Sequence, residues 1–270
     1  MNFLRHYLIA VQFFTRVPVT GRLADWVGFS PAMLRASAAH FPGVGWLVGG
    51  LVAGVFWGVL VLLPAQPAAP WVAALASTVF GVLLTGAFHE DGLADTADGL
   101  GGGTTRERAL DIMKDSRIGS YGAVALVLAL ASKAALLALL AQVSGSLAAL
   151  ALFGGHVTSR LMPLGIIRTL PHVGDTPRSK SKPLAESIGA PGLLAALLWW
   201  MPAIGLLAWR MPGWHWLAGV VGSLAGLVWM WRLLRRRLQG FTGDGLGATQ
   251  QVSEIGFLFG IAVAAGQGLA

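Results

Sequence analysis

The segment His89-Glu90-Asp91-Gly92-Leu93-Ala94-Asp95-Thr96-Ala97-Asp98-Gly99 gathers four carboxylates and one imidazole in eleven residues. Asp91, Asp95 and Asp98 are spaced i, i+4 and i+7, so on a helix they share one face. Like charges placed so cost about 0.2–0.5 kcal/mol per pair, and something positive should offset them. An all-oxygen donor set favours Mg²⁺ or another hard divalent cation, which is held by few carboxylates together with substrate phosphate. The alternative is a solvated acidic helix end. Acid is scarce here, however: only 12 of 270 residues are Asp or Glu. Seven of them (Glu90, Asp91, Asp95, Asp98, Glu107, Asp111 and Asp115) fall between positions 90 and 115.

The residues that follow extend the same theme. Gly99 and Gly101 to Gly103 form a run whose backbone N–H groups could approach phosphate. It lacks the Walker A pattern, and a simple hinge is the plainer reading. Thr104 or Thr105 can cap a short helix on which Asp111 and Asp115 form a second i, i+4 pair. Lys114 and Arg117 could neutralise phosphate, or serve as charged anchors on one side of a membrane. Lys133 lies within an apolar stretch and calls for an internal ion-pair partner. His156 and Arg160, also i, i+4, could face a phosphate or pair structurally. The basic loop 175–186, which includes Lys182, could clamp a nucleotide or contact anionic lipid headgroups. Arg235 to Arg237 read as anchors of the preceding helix. Asp244 sits in the glycine-rich turn 240–248, and Glu254 follows at a depth where acids are functional candidates.

The elements that position these groups are membrane helices. Hydrophobic residues make up 55% of the chain and charged residues 11%, against roughly 25% charged in soluble domains. Mean hydropathy is +0.69. The 37 Gly and 11 Trp fit a membrane chain. A soluble globular domain and a disordered chain are both excluded. With no Cys there is no disulfide, thiolate metal site or Cys nucleophile.

A span needs about 20 apolar residues. No charge occurs from Phe41 to Phe88, and Pro64, Pro67 and Pro70 divide that run. The apolar stretches predict seven spans, at about 43–63, 71–88, 122–143, 147–167, 192–209, 214–231 and 251–270. The last is the weakest. With the N-terminus inside, segments 1–42, 89–121, 168–191 and 232–250 hold sixteen of the nineteen Lys and Arg. That asymmetry orients the chain with the acidic cluster in the cytoplasm. The net charge of +7 is therefore mostly orientation and carries no implication of nucleic acid.

The N-terminal residues have no continuous apolar core and no small-residue cleavage site before Pro18, so no cleaved signal peptide is expected. Phe3, Leu4, Tyr7, Leu8, Val11 and Phe14 recur with helical spacing. They predict an amphipathic helix at the interface, or a short helix packed on the bundle. The expected fold is thus an all-α integral membrane protein. It has about seven transmembrane helices plus an N-terminal interfacial helix, forming one unit over 1–270 with a catalytic cytoplasmic loop at about 89–121.

Several blocks carry a family resemblance. They are the stretches 10–19, 41–45, 91–99 (Asp-Gly-Leu-Ala-Asp-Thr-Ala-Asp-Gly), 113–119, 182–185 and 242–248. Together they resemble the cobalamin synthase (adenosylcobinamide-GDP ribazoletransferase) family over nearly the whole chain. The resemblance implies a multi-pass enzyme of the bacterial inner membrane that needs Mg²⁺. Its substrates would be adenosylcobinamide-GDP and α-ribazole or its 5′-phosphate, and GMP would be released. A homo-oligomer and contact with other corrinoid-assembly enzymes are compatible with it.

Cleaving a diphosphate this way needs metal to stabilise the leaving group and a base for the ribose hydroxyl proton. On this reading Glu90, Asp91, Asp95 and Asp98 would hold Mg²⁺, and Asp98 or His89 would be the base. Asp115 and Asp244 are secondary candidates. Lys114, Arg117, Arg160 and Lys182 would face substrate. The CDP-alcohol phosphotransferase motif D-G-x₂-A-R-x₈-G-x₃-D-x₃-D is the nearest alternative. Aligned from Asp91 it meets Asp95, Thr96, Thr105, Ala109 and Met113 where it requires Ala, Arg, Gly, Asp and Asp. A cation-coupled transporter would place its acids near the bilayer midplane on broken helices, whereas these sit at the end of a span.

Overall fold

The computed structural model describes residues 2–174 and 187–267. Among them, twelve α-helices form the chain. Three short helices open it: α1 (Asn2–Phe14), α2 (Gly21–Val27) and α3 (Pro31–Ser37). Then come α4 (Phe41–Leu62), α5 (Ala69–Thr85), α6 (Phe88–Gly102), α7 (Arg106–Ile112), α8 (Ser120–Val143) and α9 (Gly145–Thr169). The last three are α10 (Ala190–Arg210), α11 (His215–Arg237) and α12 (Gly243–Gln267).

Local signals set many of the boundaries. Ser30, Thr105 and Ser144 each accept the N–H three residues on, capping α3, α7 and α9. Proline opens the first turn of α3, α4, α5 and α10, where its missing N–H costs nothing. Between α5 and α6 the chain turns by 90°. Gly86 (φ +65°) and Ala87 (φ +58°) make that turn. Glycine suits the left-handed conformation at the first of them.

Five helical segments are long and apolar enough to cross a membrane: Pro31–Leu62, Ser120–Val143, Gly145–Thr169, Ala190–Arg210 and His215–Arg237. The bent pair α5–α6 brings the number to six if it counts as one span. The chain is therefore a multi-pass membrane protein. In that pair α5 supplies the apolar part, while the acidic α6 turns away from it.

The seventh predicted span, 251–270, runs past the described residues; helix α12 begins at Gly243 rather than near 251, and among the described residues it is not one of the helices apolar enough to cross a membrane. It is sheathed by α6, α8, α9 and α11, and it buries Thr249, Gln250, Gln251, Ser253 and Glu254. Its polarity suits the middle of the bundle and would not suit lipid. The expected loop at 89–121 is also largely helical, being α6 and α7. Helix α1 packs on α3 and α4, burying Ile9, Ala10, Val11 and Phe14. Its Tyr7 ring stacks on Trp199 of α10 at 5.2 Å.

Helices α11 and α12 make the most extensive contact in the bundle. A Cβ on Gly222 would meet the carbonyl of Gly256, and a Cβ on Gly256 would meet that of Gly222. Such backbone approach is available only to glycine. Replacing Gly222 with Ala should therefore cost about 1–3 kcal/mol. That lowers the thermal unfolding midpoint in detergent, followed by Trp fluorescence, by several degrees. Gly54→Ala, where a Cβ meets nothing within 4 Å, should not lower it.

Candidate active site

The sequence spacing puts Asp91 and Asp95 on one face of α6, and tertiary packing brings Asp244 to them. Gly92 lies against the first turn of α12: a Cβ there would come within 2.9 Å of the Asp244 carbonyl oxygen. Any larger residue at 92 would push the two helices apart. Asp91 is exposed, while Asp95 and Asp244 are half-buried.

Burial, followed by the charges of Asp244, Asp91 and Asp98, pushes the Asp95 carboxyl up to about 7. Burial and then Asp91 push Asp244 up to about 6. Burial is the larger cause at both residues, and the neighbouring carboxylates add to it. Among the described residues, no three His, Asp or Glu side chains converge closely enough to hold a metal unaided. The donor set fits a hard cation whose shell is completed by phosphate and water.

Glu90 points another way. Its Oε1 accepts from Gln251 Nε2 at 3.1 Å, while its Oε2 is buried without a hydrogen-bond partner. That free oxygen is the strongest sign of an acceptor waiting for a ligand.

Asp98 has a role that its spacing did not suggest. Its carboxylate accepts the N–H of Gly119 at 2.7 Å and of Gly122 at 2.8 Å. It thus caps the start of α8 from a different helix, through both oxygens. The partners lie 21 and 24 residues away, beyond any local motif.

Asp115 and Arg117 form an exposed bidentate pair, with Nη2 to Oδ2 at 2.6 Å and Nε to Oδ1 at 3.0 Å. The Arg117 hydrogen bonds hold the Asp115 carboxyl down at about 2. With Asp98, Arg108, Asp111 and Tyr121 they line an open cleft beside the α8 start. Lys114 is exposed, and Lys182 lies outside the described residues. The glycine run is helical as far as Gly102. Gly99 packs on Ala109 and Met113, Gly101 on Tyr121, and Arg237 donates to the Gly103 carbonyl at 2.7 Å. Hence the run is a packed joint.

Behind the acids lies a buried ionic network. Lys133 of α8 pairs with Glu254 Oε1 of α12, and His156 Nδ1 of α9 lies 3.1 Å from Glu254 Oε2. Arg160 Nη1 contacts both the ring nitrogen and the carbonyl of His156 at 3.0 Å. Gln250 Nε2 donates to Ser159 Oγ at 2.8 Å and to Glu254 Oε2 at 2.7 Å. Arg160 is only 3% exposed, so its guanidinium reaches no open phosphate; it faces the interior near His89. His89 is itself buried, with its ring stacked on Phe14 at 5.6 Å.

Gln250 and Gln251 were missed by sequence reasoning. Their only signal is a pair of amides inside an otherwise apolar helix.

Comparisons with known proteins agree on one family. The profile of the family described as Cobalamin-5-phosphate synthase matches residues 6–262. A protein of Albidiferax ferrireducens named adenosylcobinamide-GDP ribazoletransferase is 56% identical, over 97% of this chain and 99% of its own length. A Polaromonas protein of the same name is 56% identical, over 97% and 98%. One from Shewanella halifaxensis is 44% identical, over 93% and 92%. No solved structure matches.

Among the described residues, Glu254 is the only carboxylate paired with Lys133 and His156. Removing one partner of a buried pair costs about 3–5 kcal/mol. Glu254→Ala should therefore lower the unfolding midpoint, measured in EDTA, by about 10 °C. A midpoint within a degree of the parent would show that the network does not hold the bundle.

Proposed function

The chain belongs to the cobalamin-5-phosphate synthase family, and from that membership we propose that it transfers α-ribazole, or its 5′-phosphate, to adenosylcobinamide-GDP with release of GMP. The observation that carries this reading is the meeting of Asp91, Asp95 and Asp244 where α6 packs on α12. A diphosphate is the substrate group that such a cluster can receive through a hard cation.

In the reaction, the ribose 3′-hydroxyl oxygen of ribazole forms a bond to the phosphorus on the cobinamide side. The bridging P–O bond breaks, and its electron pair leaves with GMP. Mg²⁺ held by Asp91, Asp95 and Asp244, its shell completed by water and phosphate, would neutralise the diphosphate and the leaving phosphate. Asp98 is committed to two backbone N–H groups, so we assign it to positioning α8 and give the proton of the attacking hydroxyl to His89. The burial of His89 keeps that transfer away from bulk water.

The basic asymmetry supports an N-terminus and an acidic cluster on the cytoplasmic side of the bacterial inner membrane. Helix α1 would then lie at the cytoplasmic interface.

The test uses purified protein in detergent or nanodiscs, both substrates and Mg²⁺, with GMP followed by chromatography. GMP should appear with substrate and cease in EDTA. Failure to form product in any lipid would overturn the activity, and unchanged rates in EDTA would overturn the metal. Asp95→Asn should lower the rate by roughly a hundredfold or more. It should also raise the unfolding midpoint in EDTA by about 1 °C, because a repulsion is removed.

A further inference from the structure

Beside the acids, α1, α4, α6, α9 and α12 enclose a pocket that the reaction above leaves unassigned. Its walls are aromatic. Phe14 stands edge-on to Phe41 at 4.6 Å and 82°, and to Phe88 at 5.3 Å and 89°. The His89 ring lies nearly parallel to Phe14, at an angle of 12°. Phe13 packs on Phe88 at 5.2 Å. Opposite the rings, Gly243 and Gly247 leave the wall without side chains, on either side of Asp244.

Almost all of the exposed lining is carbon. Two of the lining residues end in an unused polar atom: Arg160 in Nε, a donor, and Gln250 in Oε1, an acceptor. Both are buried and without a hydrogen-bond partner.

We propose that this pocket receives the benzimidazole ring of ribazole. The inference rests on the transferase reading above and adds to it where the nucleophile binds. A benzimidazole nucleoside has a flat, carbon-edged ring that suits stacking on Phe14 and His89. It has one free ring nitrogen, an acceptor that Arg160 Nε–H can satisfy. Its ribose hydroxyls supply a donor for Gln250 Oε1. Guanine fits poorly: its N–H donors and carbonyl would face phenylalanine carbon, and each unpaired group is penalised. With the ring in the pocket, the ribose lies beside His89 and next to Asp244, where its hydroxyl must lose a proton. The corrinoid diphosphate then approaches from the exposed side, where Asp91 lies.

Phe14→Leu and Phe88→Leu keep an apolar side chain and remove the ring. Phe88 is partly exposed, so its replacement leaves the bundle packing largely intact. Each variant should raise KM for ribazole by about tenfold or more, with KM for adenosylcobinamide-GDP changed less than twofold. Equilibrium binding, measured in EDTA without the second substrate, should show weaker ribazole affinity in both variants and unchanged affinity for GDP. A shift in the GDP-substrate KM, or in GDP affinity, would assign the pocket to guanine and overturn the proposal. So would unchanged ribazole affinity in folded Phe88→Leu protein. If ribazole binds in a Phe14-dependent way but no GMP forms, the reaction fails while the pocket stands. If turnover is normal and ribazole KM does not move, the pocket fails while the reaction stands.

Discussion

Glu254 is the charge around which the rest of the molecule is arranged. It is 1% exposed and takes Lys133 from α8 and His156 from α9. A lone carboxylate in that position would be prohibitively costly, so three helices are bound to one register. The constraint spreads outward. His156 and its carbonyl hold Arg160, Gln250 ties Glu254 to Ser159, and one position along α12 Gln251 holds Glu90. The buried ions thus reach the acidic helix through a short series of directed contacts. Glu90 and Arg160 are among the members that end with an unused polar atom.

The acidic helix is held by geometry rather than by its own charges. Its carboxylates repel, and burial together with that repulsion raises Asp95 and Asp244, yet the packing keeps them together. Three contacts oppose it: the bend at Gly86 and Ala87 that turns α6 away from α5, the approach of Gly92 to α12, and the capping of α8 by Asp98. On the proposed metal reading, a site for a doubly charged ion is built by compressing like charges before the ion arrives. Stability given up in the free protein is recovered on binding.

The sequence made the helices of the bundle and the acidic cluster legible because both signals are local. Long apolar runs read as spans, and i, i+4, i+7 acids read as one face of α6. It misled at α12, where buried amides and a carboxylate weaken the apolar pattern; they mark a helix surrounded by other helices instead of lipid. Asp98 looked like its neighbours in spacing, and only the folded chain shows Gly119 and Gly122 presenting their N–H groups to it. Lys133 announced that it needed a partner, but Glu254 could not be identified from periodicity. The aromatic pocket was equally hidden, since its phenylalanines come from three helices, each plausible as ordinary packing.

The two halves of the site answer different requirements. In the proposed reaction the acids stay near water, because a diphosphate arrives hydrated and its ion would keep part of its shell. In the proposed reaction the attacking hydroxyl loses its proton in a drier place, where water cannot compete as nucleophile. Helix α6 meets both demands with adjacent residues: His89 faces the buried aromatic wall, Asp91 is open to solvent, and Glu90 between them joins the ionic network. The boundary between wet and dry therefore runs along a single turn of helix. This is why the acids are placed at the end of a span, where that boundary already exists, rather than deep in the bundle or out in a soluble loop.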